Sequence, residues 1–163
     1  MRPAHSPGVD PIARFLSEHE RVLHHLTILS RNCRQMQERG YSAAAHGRAL
    51  EAISFLEEEV TVHNRGEEEA LFPVLERYVE GPTGVMRREH RDLARVLRRL
   101  KAAASRLRGS PGSRSAAAHL CETALSVSQC FVNHIHKENH ILFPLVRKFL
   151  TKEALREIAR RML

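Results

Sequence analysis

The chain has 163 residues, 42% of them hydrophobic and 28% charged, with a formal net charge of +7. This length fits one domain that can bury a core, and no apolar run reaches the roughly 18–20 residues that span a bilayer. Met1 to Val9 lack the apolar segment of a signal peptide, so a cytoplasmic location is the expectation.

The three cysteines, Cys33, Cys121 and Cys130, form no C-x-x-C pair. Cys121 and Cys130 would lie on opposite faces of a helix. Free thiols are expected rather than a disulfide framework or a closed structural zinc site.

Residues 1–10 read as a flexible N-terminal tail, ending in Asp10-Pro11, an N-cap carboxylate followed by proline at the first helical position. Helix A carries the stripe Ile12, Phe15, Leu16, His19, Val22, Leu23, Leu26, Leu29 and Cys33, and Gly40 ends it. Ser42 caps helix B, with stripe Ile53, Leu56, Val60, His63, Glu67, Ala70 and Val74. The Gly81-Pro82-Thr83-Gly84 stretch reads as a turn, and helix C follows with Met86, His90, Leu93, Leu97, Leu100 and Ala104. Gly109 to Ser113 form a second turn. Helix D carries Ala124, Val127, Phe131, His134, Glu138, Ile141 and Leu145. Residues 151–163 are read as a short C-terminal helix on the bundle. Four long amphipathic helices and short turns predict an all-α, up-down-up-down four-helix bundle over residues 11–150.

The second half repeats the first. His63, Glu67 and Leu71-Phe72-Pro73 return 71 residues later as His134, Glu138 and Leu142-Phe143-Pro144. Glu18-His19 returns as Glu89-His90 with the same offset and no gap. The bundle is therefore expected to consist of two pseudo-symmetric helical hairpins. Histidine and glutamate four apart share a helix face, and these pairs sit on core stripes where an uncompensated carboxylate is costly. No Lys or Arg occupies the stripes at that level, so a metal cation is the economical partner. His19, His63, Glu67, His90, His134 and Glu138 are too many ligands for one open site and suit two ions of iron, manganese or zinc. An apolar lining of Phe15, Val22, Leu56, Val60, Leu93, Val127 and Phe131 favours small neutral ligands.

These motifs, covering about residues 11–150, resemble the hemerythrin-like cation-binding family. The resemblance implies a bundle holding two non-haem iron ions with carboxylate and oxo or hydroxo bridges, held by His19, His63, Glu67, His90, His134 and Glu138. It implies binding or reduction of dioxygen, peroxide or nitric oxide, or alternatively a redox- or oxygen-responsive regulatory module or one that stores or donates iron. Oxygen-carrying members use five histidines, two of them four apart on one helix. Here the positions one turn from His90 are Met86 and Ala94, and those one turn from His19 are Phe15 and Leu23. His24 is rotated off the stripe, while Glu59 and Cys130 flank the site as further candidate contacts. The ferritin-like class relies on Glu-x-x-His, which occurs nowhere in this chain.

Helix C is basic (Arg87, Arg88, Arg91, Arg95, Arg98, Arg99, Lys101, Arg106 and Arg108). It reads foremost as a solvated face, with an acidic protein or nucleic acid as the second reading. Gly66 beside Glu67 permits a close helix approach or is merely tolerated. Pro73 and Pro144 are expected to loosen each helix one turn beyond the metal level. Phosphate loops and Ser-His-Asp arrangements are absent, so acyl and phosphoryl transfer have no support.

Overall fold

The computed structural model describes Gly8 and residues 10–163; the rest of the expected tail lies outside the described residues. Asp10 closes the start of α1 (Pro11–Arg39), its carboxylate accepting from the backbone N–H of Ile12 at 3.0 Å. Gly40 ends that helix at φ 91°, a left-handed conformation that favours glycine. Ser42 caps α2 (Ala43–Gly66) through the N–H of Ala45. After a short α3 (Phe72–Leu75), α4 spans Thr83–Gly109, so Thr83 and Gly84 belong to the helix and not to the preceding turn. Ser113 caps α5 (Arg114–Lys137) through the N–H of Ala116, α6 (Phe143–Phe149) continues it, and α7 (Lys152–Arg161) follows behind a Thr151 cap.

Cross-links between helices define the packing. α1 meets α2 through Glu18–His63, Arg21–Glu59 and Arg48–Asn32, and α1 meets α5 through Ser30–Ser128. α2 meets α4 through His46 and the Ala104 carbonyl, and α4 meets α5 through Arg106–Ser115. In each pair with several links, numbers rise along one helix as they fall along the other, so neighbours are antiparallel. The result is the up-down-up-down bundle of two hairpins, with α7 against α1 and the stretch Glu67–Leu71 that follows α2. No helix among the described residues is long and apolar enough to cross a membrane.

Between α2 and α3, and again between α5 and α6, the backbone widens into one π-helical turn, Glu67–Leu71 and Glu138–Leu142. The N–H of Phe72 reaches back to the Glu67 carbonyl, and that of Phe143 to the Glu138 carbonyl. Pro73 and Pro144 follow at once, in the first turn of the next α segment, where a missing N–H is tolerated. The loosening expected beyond the metal level thus begins at Glu67 and Glu138 themselves. A wide turn shifts the helical register. Ile141, placed on the core stripe by spacing, is 52% exposed, and Val146 is fully buried where Leu145 was expected.

Two apolar clusters fill the bundle. The larger contains Val22, Leu56, Val60, Leu93, Val127 and Phe131, and the smaller contains Ile12, Phe15, Leu71, Phe72, Leu142 and Phe143 with Ile158 of α7. Between them lies a polar layer of six buried side chains.

Candidate metal centre

His19, His63, Glu67, His90, His134 and Glu138 are all buried, and both glutamates are fully so. They form two groups of four that share the glutamates, one with His19 and His63, the other with His90 and His134. The four Nε2 atoms point inward. Glu67 sets Oε1 2.9 Å from His63 and Oε2 3.1 Å from His90. Glu138 sets Oε1 2.9 Å from His19 and 3.5 Å from His63, and Oε2 3.2 Å from His134 and 3.6 Å from His90. Each carboxylate therefore faces one histidine pair with one oxygen and the other pair with its second.

These close approaches do not satisfy the groups involved. Both oxygens of Glu67, Oε2 of Glu138 and Nε2 of His90 and His134 are buried without a hydrogen-bond partner. Orphaned acceptors converging at this density are a rare and costly arrangement in a core. No Lys or Arg reaches the inner carboxylates among the described residues; their partners are histidines alone. Two nitrogens and two oxygens per group form a donor set of the imidazole and carboxylate type that suits a divalent transition ion. The residues fit a cation at each group.

Electrostatics point the same way. Burial alone raises the Glu138 carboxyl, but the imidazoles of His134, His19, His63 and His90 that face it hold it well below the usual range. Burial alone lowers His63, yet the Glu67 charge, the facing Glu138 carboxylate and the hydrogen bond to Glu18 raise it well above its ordinary value. Burial likewise opposes His90, which the facing Glu138 and Glu67 carboxylates push up to about 10. The same carboxylates that would face a cation thus favour the protonated forms of His63, His90 and His134 in the metal-free chain.

Each histidine is fixed from behind. His63 donates Nδ1–H to Glu18 at 2.7 Å, and His134 to Glu89 at 3.1 Å. His90 donates to Glu68 at 2.8 Å and His19 to Asn139 at 2.7 Å. These bonds select the tautomer that leaves the Nε2 lone pair facing inward. Glu68 and Asn139 are the first residues after the inner glutamates, inside the two π-turns. Phe72 stacks on His90 (5.9 Å between centroids) and Phe143 on His19 (5.5 Å), so the Phe of each Leu-Phe-Pro motif packs on the other hairpin's histidine. Phe15 meets His63 edge-on at 5.2 Å.

Spacing along single helices named the inner six. It missed the outer partners Glu18, Glu68, Glu89 and Asn139 and the Phe72 and Phe143 stacks, which act across helices. The 71-residue repeat was their sequence signal: Glu18 returns as Glu89 and Phe72 as Phe143, while the position of Glu68 returns as Asn139. The flanking candidates do not join the cluster: Glu59 pairs with Arg21, and Cys130 and the exposed His24 belong to neither group. His46 is buried but elsewhere, bonded to Tyr41 and the Ala104 carbonyl. Gly66 proves to be a close approach, since a Cβ there would lie 3.2 Å from the Phe15 ring.

Comparison with known proteins agrees with this geometry. The chain is 27% identical over 137 residues to the iron-sulfur cluster repair protein YtfE of Musicola paradisiaca (strain Ech703). That alignment covers 82% of this chain and 61% of the relative, so the chain spans about three-fifths of the relative's length. Residues 10–146 match the model of the hemerythrin HHE cation binding domain, and these residues contain all six inner side chains. The chain belongs to the hemerythrin HHE cation binding domain family.

Proposed function

We propose that this protein is a non-haem di-iron protein that binds or reduces a small oxygen-derived ligand: dioxygen, peroxide or nitric oxide. One iron is held by His19, His63, Glu67 and Glu138, and the other by His90, His134, Glu67 and Glu138. The observation that carries the reading is the cluster of orphaned buried donors, with each carboxylate facing both histidine pairs.

Bound as a pair, two irons supply one-electron steps in tandem and coordination positions left open by four protein ligands apiece. The protein's part is to hold and to insulate. Glu18, Glu68, Glu89 and Asn139 orient the imidazoles, and Glu67 and Glu138 offset the cationic charge. Phe15, Val60, Leu93 and Phe131, all buried, exclude water and favour a small neutral ligand over a charged one. No fifth histidine joins the centre among the described residues, which favours ligand turnover or redox response over dedicated oxygen carriage. The name of the YtfE relative favours a second reading, an iron-handling or redox-responsive module that releases iron to a partner.

The test is an anaerobic absorption spectrum of the iron-loaded, reduced protein, followed as air is admitted and then removed. A charge-transfer band that forms and persists supports oxidation of the centre and turnover. A band that vanishes with the air means reversible carriage. Bound iron with no spectral response, but transfer to a chelator on oxidation, favours iron donation. A flat spectrum with no iron contradicts both readings.

A further inference from the structure

We propose that the two metal positions are unequal, the one at His90 and His134 binding a divalent cation more tightly than the one at His19 and His63. The proposal rests on the two-metal reading above and concerns what breaks its symmetry. The inner six side chains are the same in the two halves, with His19 matching His90, His63 matching His134 and Glu67 matching Glu138. Of the outer partners, Glu18 and Glu89 also match. Each holds an Nδ1–H, and each is accompanied by one cation, Arg14 in the first case and Lys137 in the second. The Glu18 bond to His63 is shorter and more buried than the Glu89 bond to His134, which partly offsets the difference argued next.

The remaining pair does not match. At the same offset, and in the same place in its π-turn, one half has Glu68 and the other Asn139. His90 donates to a carboxylate at 2.8 Å, whereas His19 donates to a neutral amide oxygen at 2.7 Å. Among the described residues Glu68 forms an ion pair with His90 alone, so no lysine or arginine neutralises it. An imidazole whose Nδ1–H is held by a carboxylate is a more basic ligand at Nε2 than one held by an amide. The extra negative charge, one imidazole away, also favours a dication, an effect that solvent reduces because the Glu68 side chain is 39% exposed. Both effects strengthen the His90/His134 position, so it fills first and loses its ion last.

Cobalt(II), titrated into metal-free protein and followed by its visible absorption and by calorimetry, separates the positions. The His134→Ala variant leaves the His19/His63 position intact, and His63→Ala leaves the other. Glu68→Gln, in the His63→Ala background, keeps the hydrogen bond and removes the charge; cobalt affinity should fall about tenfold or more, within the range for outer partners of metal-bound histidines. Asn139→Asp, in the His134→Ala background, should raise affinity by a similar factor. In the wild-type chain the two binding steps should differ, and either single substitution should bring them together. Unchanged affinities, within about twofold, in both backgrounds would overturn the inequality while leaving the two-metal reading standing. Failure of the wild-type chain to bind cobalt at all would overturn that reading and this one with it. Far-ultraviolet circular dichroism should show both near-isosteric variants folded, so that a change in affinity reads the charge and not the fold.

Discussion

Glu67 and Glu138 belong to both groups of candidate ligands, whereas each histidine belongs to one. On the proposed two-metal reading, removing a histidine should empty a single position, and removing either glutamate should weaken both. The cysteines stand apart from this chemistry. Burial, and then the neighbouring Cys121, pushes the Cys33 thiol up to about 12, and both residues are buried while Cys130 is partly exposed. A thiol reagent at neutral pH should therefore label one cysteine per native chain and all three after denaturation, since the thiolate is the reactive form. Rapid labelling of Cys33 in the folded protein would contradict the packing around α1. At this scale the buried cluster of six side chains was legible because histidine and glutamate four apart on a core stripe have no apolar explanation, and the repeat adds His19 and His90. Glu18, Glu68, Glu89 and Asn139 were not, since a polar residue beside a ligand looks like ordinary helix surface until the neighbouring helix is in place.

The two π-turns are the elements that a regular helical period does not predict. Proline at 73 and 144 cannot donate the backbone bond that would close an α-turn there, and the chain widens just upstream, at the metal level. Periodicity carried through these points assigned Ile141 to the core, and the wide turn rotates it to solvent. The same turn holds Asn139 against His19. Restoring the N–H with Pro144→Ala should let the turn tighten and draw Asn139 away. The expected result is metal affinity about tenfold lower with the melting temperature unchanged or raised, measured by metal titration and thermal melts. At Gly66 two effects compete: alanine gains about 1 kcal/mol of helix propensity, and crowding a packed aromatic costs about 1–3 kcal/mol. Phe15 is fully buried, edge-on to His63 and stacked on Phe143. Gly66→Ala should therefore destabilise the fold by about 1 kcal/mol, read from denaturant unfolding.

Across the whole molecule, a polar layer between two apolar clusters makes stability depend on what compensates two buried carboxylates. In the metal-free chain the histidines do so. His90 is raised from an ordinary 6.5 to about 10, so its contribution is complete below pH 6.5 and is lost as pH rises through about 10. Metal-free protein should melt at progressively lower temperature across that window. Metal-loaded protein should not, because the cation has replaced the proton, and at a hundredfold excess over Kd it adds about 2.7 kcal/mol. The bundle itself was legible from four stripes, three turns and a repeat with no gap. That an up-down-up-down arrangement brings both halves of the repeat to one depth follows from the matched lengths of the hairpins.

The most direct test of the central claim is the iron content per chain after anaerobic loading and desalting, for the wild type and for Glu67→Ala and Glu138→Ala. The account predicts two irons in the wild type and substantial loss from both positions in each variant, with the helical circular dichroism retained. Two irons kept by folded Glu138→Ala, or none bound by the wild type, would contradict it.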